Sequence, residues 1–439
     1  MNLSKEKKAM ILATCVLAFL ASASAEDPSM TKKVTIDEAV SLAMENNIQL
    51  SSDAIDLRIK KRAKDYSWNV FIPATTASGS IAQTNMKETS MGTELKGKDR
   101  WSETARLGMS LTVNMALFEG LRATRQSYEA GKITWEQARQ DTERNVRKGF
   151  YGILVQEESL KLAKEKLAAS EDRYRQTGVN YRNGLVPELT VLKTQLAVET
   201  QKPALQQSEL ELDQQKRQFA FLIGLPVNTT VELDGEIDPV IVSLDENTLV
   251  EKNLGNRLDI ALLAKNLELL NTQVRAKQFQ IFTPSITVSK DWAPSKQPID
   301  AGEWTDNSGS FGVTLSFDLA ALIPFSQTGQ SLSDAKDSVR KTELALRQAT
   351  YNAELEIRNL AKKLEKYRAS IATMEMNVAL ADKAYRLTEE GYRAGTIEYL
   401  DLKDAENSLM EAKLGVITEK YNYLSTMLDL ETALNANLD

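Results

Sequence analysis

Apolar residues recur every seven positions along two long stretches of the chain. Val146, Ile153, Leu160, Leu167 and Tyr174 form one row, and Val191, Val198, Leu205, Leu212 and Phe219 continue it after a break. Residues seven apart drift only about 20° around a helix, so each row is a seam that a neighbouring helix can cover. The Lys, Glu, Gln and Arg between them form solvated faces. A single leucine here would be ordinary core; the sustained register is what predicts long paired helices. The pattern returns at an offset of 211, as Ile357, Leu364, Ile371, Val378 and Tyr385, then Leu402, Leu409, Val416, Tyr423 and Leu430. Identities return with it: Tyr174, Arg175, Thr177, Tyr181, Arg182 and Gly184 reappear as Tyr385, Arg386, Thr388, Tyr392, Arg393 and Gly395. The chain is therefore a tandem repeat. Each repeat holds two helices around a glycine turn, Gly184-Leu185 and Gly395-Thr396, where glycine supplies the left-handed conformation that ends a helix. Pro187 is placed to start the return helix.

Between the helical stretches the period changes to two. Leu107, Met109, Leu111, Val113, Met115 and Leu117 alternate with small or polar residues, as do Phe311, Val313, Leu315, Phe317 and Leu319. Weaker strands are expected at 74–83 after Pro73 and around Ile286, Val288 and Trp292 after Pro284. Segments 84–103 and 293–309 read as long surface loops. One apolar and one polar face suit a membrane β-barrel, with an edge of a soluble sandwich as the alternative. Four strands cannot close such a barrel, and an open edge cannot face lipid, so membrane-spanning strands would require several chains to share one barrel.

The helix from Glu119 to about Asn183 would run ~95 Å, whereas its return from Glu188 to Leu222 covers only ~50 Å. A further helix must cover the remainder: Ile36 to Ile72 in the first repeat and Leu258 to Phe282 in the second. Pro203 predicts a kink. The organisation read from these patterns is a signal peptide at 1–25, a first repeat at 26–226, a connecting segment at 227–249 and a second repeat at 250–439.

The signal peptide rests on Lys5, Lys7 and Lys8 ahead of an apolar run from Ala9 to Leu20, closed by Ala23-Ser24-Ala25. That run is shorter than the roughly 20 residues of a transmembrane helix. The only cysteine, Cys15, lies inside it; lipidation there would follow Leu12-Ala13-Thr14, but Val16 to Leu20 continue the apolar stretch. Removal of the signal takes the formal charge from −7 to −9, a balance opposed to nucleic-acid binding. Histidine is absent, and with no mature cysteine the commonest general base, thiolate nucleophile and transition-metal ligands are missing. No phosphate loop, nucleophile elbow or metal-ligand spacing stands out, so no cofactor or metal is expected and an enzyme is not.

The opening Val34-Thr35-Ile36-Asp37-Glu38-Ala39-Val40-Ser41-Leu42-Ala43 resembles the start of mature TolC-like outer-membrane efflux proteins, and the two glycine turns resemble their periplasmic tips. The resemblance implies long antiparallel helical hairpins forming an α-barrel, with four strands per chain in a twelve-stranded β-barrel shared by a homotrimer. It further implies an outer-membrane exit duct extending into the periplasm, working with a periplasmic adaptor (membrane fusion protein) and an inner-membrane pump. Such a duct would passively conduct substrates of a tripartite efflux or type I secretion system. A periplasmic coiled-coil scaffold or adaptor without membrane strands is the alternative from the heptads alone. Two departures concern the family's proline-led helix starts: here Ile48 follows Asn46-Asn47, and Leu258 follows Arg257, so those junctions are expected to bend less sharply.

By the same resemblance, Asp401 and Asp404 occupy the positions of entrance aspartates, and Tyr392 matches a tyrosine that helps hold the entrance closed. Three residues apart on a helix, the carboxylates share a face, and a trimer would place six around one mouth. Taken alone they would read as two solvated charges. The usual arginine partner of the tyrosine is replaced by Ile397, and Leu189-Thr190 stands where a Thr-Asp pair is common. Gly184, Leu185, Gly395 and Thr396 match tips that dock the adaptor, and serve as helix turns in any case.

Overall fold

The computed structural model describes residues 31–85, 94, 96–226, 228–242, 244–297, 299, 302–305, 308–319, 323 and 325–438. The expected signal peptide and Cys15 lie outside the described residues. The chain separates into two compact units: one made of the residues up to Ile48 with Thr142–Ile241 and Leu364–Leu428, the other of Gln49–Asp141, Val242–Lys363 and the residues from Asp429 on.

In the first unit, strand β1 (Thr31–Val34) pairs in parallel with β4 (Thr230–Leu233), and helix α1 (Ile36–Asn46) follows. Thr35 caps α1 through a reciprocal pair, its hydroxyl accepting from the Glu38 amide while the Glu38 carboxylate accepts from the Thr35 amide. Helix α2 (Ile48–Asp65) begins after a break at Asn47, whose ψ of 124° is extended. No proline is needed for this. Asn47 Nδ2 donates to the Leu222 carbonyl at 2.8 Å, and the Gly224 backbone lies so close that a Cβ there would sit 2.5 Å from the Asn46 carbonyl oxygen. The long segment expected as one helix from Ile36 to Ile72 is thus α1, α2 and a 3-10 turn at Ser67–Phe71.

Helix α3 (Met115–Arg182) and helix α4 (Glu188–Leu222) form the first hairpin, and helix α7 (Gln327–Arg393) and helix α8 (Tyr399–Leu434) the second. The heptad seam is where the core lies: Val146, Ile153, Leu212, Phe219, Ile371, Leu402, Leu409 and Tyr423 are all buried. Pro203 lies inside α4 and does not end it. Within this unit side-chain contacts run from α4 to α3 (Lys216–Glu157, 2.6 Å), from α3 to α8 (Arg173–Glu406, 2.9 Å) and from α8 to α7 (Lys420–Glu375, 3.6 Å).

In the second unit, short α5 (Glu246–Asn253) precedes α6 (Leu258–Phe282). Here contacts run from α2 to α3 (Lys64 Nζ 4.7 Å from the centre of the Tyr128 ring), from α3 to α6 (Gln126–Glu268, 2.8 Å) and from α6 to α7 (Lys277–Ser331, 2.6 Å). One sheet carries β2 (Ala74–Gln83), β3 (Trp101–Val113), β5 (Ser285–Trp292) and β7 (Gly309–Ser316) in the order β2-β3-β5-β7, all antiparallel, with two-residue β6 (Ser295–Lys296) on β3. Register puts Leu107, Leu111 and Val113 on the same face as Trp292, Val288, Ile286, Val313 and Leu315, and Ser110, Thr112, Ser289, Thr287, Gly312 and Thr314 on the other. Two strand ends are corrected. Met115 and Leu117 are the first turn of α3, where Asn114 Oδ1 accepts from the Leu117 amide, and β7 stops at Ser316, before Phe317 and Leu319. The alternation continues past the last ladder pairs, Val113–Ile286 and Ser285–Ser316, but hydrogen bonding does not.

Candidate functional site

Both hairpin tips close in the same way. Gly184 (φ +72°) donates to the Tyr181 carbonyl and Leu185 to that of Asn180; Gly395 (φ +76°) donates to Tyr392 and Thr396 to Gly391. These are Schellman motifs, which satisfy the last carbonyls of α3 and α7 and demand a residue that tolerates the left-handed region. At the second tip Thr396 Oγ1 adds a bond of 3.0 Å to the Gly391 carbonyl, and Ile397 folds over Gly391, where a Cβ would lie 2.5 Å from its Cδ1. Ile397 therefore packs within its own tip. Leu185, by contrast, is 71% exposed.

Asp401 and Asp404 lie in the first turns of α8 and are exposed. Tyr392 is half-buried, its ring 6.3 Å from that of Tyr399. The two carboxylates share a helix face; Tyr392 pairs with a second tyrosine.

A neighbouring cluster contains a buried ion pair. Arg173 on α3 donates to Glu406 on α8 at 2.9 Å, with the two side chains 9% and 4% exposed, and the guanidinium lies 5.9 Å from the Tyr399 ring centre. Burial alone would lower the Arg173 pKa, but the hydrogen bond and charge of Glu406 outweigh it and raise it. Burial raises the Tyr399 hydroxyl against the opposing pull of Arg173, and burial, with help from Glu389 and Glu406, raises Tyr385. Both phenols stay neutral, and the Arg173–Glu406 pair holds α3 to α8 roughly three turns inside the tips.

Sequence reasoning missed this pair, although Glu406 leaves a signal. It falls between buried Leu402 and Leu409 on the core stripe of α8, where a heptad takes an apolar residue, so a carboxylate there needs a buried partner. Among the described residues no group of three or more metal-ligating side chains occurs, and no helix is long and apolar enough to cross a membrane. The arrangement offers exposed carboxylates and a fixed ion pair. What it can do is bind cations weakly and hold helices.

The sequence matches the family described as Outer membrane efflux protein twice, over residues 39–225 and 249–436. It is 21% identical over 404 residues to the cobalt-zinc-cadmium resistance protein CzcC of Cupriavidus metallidurans, covering 90% of this chain and 89% of that protein. Among solved structures, the CmeC outer membrane channel of Campylobacter jejuni superposes with a TM-score of 0.78 at 16% identity, covering 91% of this chain and 85% of that one. The outer membrane protein VceC of Vibrio cholerae gives 0.73 at 18%, covering 92% and 97%.

Proposed function

The chain belongs to the outer membrane efflux protein family, and from that membership we propose that it is the homotrimeric exit duct of a tripartite export system. It is an outer-membrane efflux channel extending into the periplasm, a passive conduit and not an enzyme. In the proposed assembly three chains each contribute four strands to one twelve-stranded barrel and two hairpins to one helical tunnel. The two repeats, 26–226 and 250–439, flank the connector at 227–249, and residues 1–25 direct export.

One observation supports a closed ring of copies, and the family resemblance supplies the number three. Each unit presents exposed apolar rows on the two helices that end its run of contacts. In the first unit Leu189, Leu192 and Leu196 on α4 and Met376, Leu380 and Leu387 on α7 are each more than half exposed. In the second unit Ile55 and Ile59 on α2 and Leu344, Tyr351 and Leu355 on α7 repeat the arrangement. The sheet likewise ends on β2 and β7. Burying such rows is favourable by about 25 cal/mol per Å². A cyclic ring in which the first edge of one copy meets the last edge of the next covers all of them at once.

In this reading Asp401 and Asp404 line the periplasmic entrance, with Tyr392 beside them, and Gly184, Leu185, Gly395 and Thr396 are the tips that meet the adaptor carrying cargo from an inner-membrane pump. The relative CzcC suggests divalent metal ions as one cargo class. Leu192 and Leu387 lie at similar distances from their tips, so Leu192→Cys combined with Leu387→Cys in one chain tests the ring. Oxidation of the membrane-embedded protein is expected to yield covalent dimers and trimers on denaturing gels. Monomer alone, with both thiols accessible to maleimide, would rule the closed ring out.

A further inference from the structure

The end of α2 combines two features that the export reading leaves unused. Arg58, Lys60, Lys61, Arg62 and Lys64 fall within seven residues of a chain whose net charge is −7. Lys60 and Lys64 are engaged with α3: the Lys60 stem lies over Gly131, and Lys64 lies over the Tyr128 ring while pairing with Asp65 at 3.1 Å. Arg58, Lys61 and Arg62, at i, i+3 and i+4, share one exposed face that flanks the Ile55 and Ile59 row, and have no acidic partner among the described residues.

Directly after this face the chain makes its 3-10 turn. Ser67 Oγ donates to the Lys64 carbonyl at 2.7 Å, Asn69 N to that of Tyr66 and Ile72 N to that of Asn69, which fixes the turn. It holds Tyr66, Trp68, Val70 and Ile72 outward, each at least 40% exposed, while Phe71 packs at a tilt against Phe118, ring centres 6.0 Å apart. The next residues are Pro73 and β2. The second repeat has no such collar, passing from α6 to β5 through Thr283 and Pro284 alone.

We propose that this basic face and aromatic turn form a docking surface for the anionic glycerophospholipid headgroups of the leaflet bordering the start of β2. The inference rests on the outer-membrane location given above. Tryptophan and tyrosine favour the membrane–water interface, and clustered Arg and Lys beside it attract anionic headgroups within about one Debye length. An acidic protein partner would account for the cations and leave the exposed aromatic turn unexplained. The collar sets the depth of the chain in the bilayer, and the cations select the lipid around it.

The test uses the full chain in phosphatidylcholine vesicles containing about one third phosphatidylglycerol, a surface on which such cations gain measurably. Of the five tryptophans, Trp68 alone is retained, and either lipid in turn carries bromine near its headgroup. Brominated phosphatidylglycerol is expected to quench Trp68 at least about twofold more than brominated phosphatidylcholine at equal mole fraction. The excess should vanish in Arg58→Gln, Lys61→Gln, Arg62→Gln and shrink in high salt, while the remaining quenching persists. Equal quenching by the two lipids, or none, overturns the proposal. Dissociation of the triple variant into monomers also overturns it, because the cations would then be a contact between copies. A companion protein retaining only Trp292, on β5, separates the premises: quenching there without quenching at Trp68 defeats this surface alone, and quenching at neither defeats the membrane reading itself.

Discussion

At the scale of residues, the tip of the second hairpin contains two kinds of carboxylate with different consequences. Glu406 is buried against Arg173. Removing one partner of such a pair leaves an uncompensated charge in the interior, at a cost of about 3–5 kcal/mol. Glu406→Ala should therefore lower the thermal midpoint markedly and increase hydrogen exchange in the first turns of α8, with Glu406→Gln less severe because its carbonyl can still accept from Arg173. A midpoint unchanged in both would mean that the pair holds nothing. Asp401 and Asp404 are exposed, so their loss should leave folding intact. What should change is transport of ions: Asp401→Ala with Asp404→Ala is expected to raise single-channel conductance or weaken block by divalent cations in planar bilayers. Conductance and block identical to the wild type would remove the ring of carboxylates from the account. The residue types were legible in the sequence, as was the spacing that puts Asp401 and Asp404 on one face. The pairing of Glu406 with Arg173 was not, because 233 residues separate them and only packing of α8 on α3 brings them together.

At the scale of elements, three glycines end helices in the same left-handed conformation yet differ in their surroundings. Gly184 and Gly395 have nothing within 4 Å of where a Cβ would stand, so alanine there meets only backbone strain of about 1–2 kcal/mol. Gly224 (φ +77°) carries the same strain and in addition abuts Asn46 at 2.5 Å. Gly224→Ala should accordingly depress the midpoint well beyond Gly395→Ala, a ranking readable by thermal unfolding; the reverse order would contradict the packing at Asn46-Asn47. The helices themselves were plain from their seams: the sequence placed Glu188–Leu222 and Leu258–Phe282, and the structure has both at those bounds. In the sequence only the absent proline bears on the break at Asn47. Its cause is tertiary, a side-chain bond to Leu222 and the close approach of Gly224. Strand ends were overextended for a related reason, since alternation reports which face a side chain takes and not whether the backbone still has a neighbour to bond.

At the scale of the whole molecule, each unit buries its heptad seams within the chain and leaves a second set of apolar residues on its outer helices. That surplus is large for a chain whose described residues include no cysteine to brace it. Stability and assembly are thus coupled in the proposed ring: the midpoint should depend on the population of trimer as well as on the contacts of one chain. The sheet makes the same point, because its apolar face, polar face and two open edges suit a bilayer only when other copies continue it.

The repeat, the seams, the alternation and the glycine turns were all readable in consecutive residues, and four membrane-spanning strands would call for several chains to share one barrel. These are properties of period and of local conformation, written in consecutive residues. Packing between distant segments set which helices are neighbours, and so made Arg173–Glu406 a buried pair, left Arg58, Lys61 and Arg62 exposed beside an aromatic turn, and ended α1 at Asn47. Each of those depends on residues far apart in the chain meeting at a few ångströms, and no periodicity encodes such a meeting.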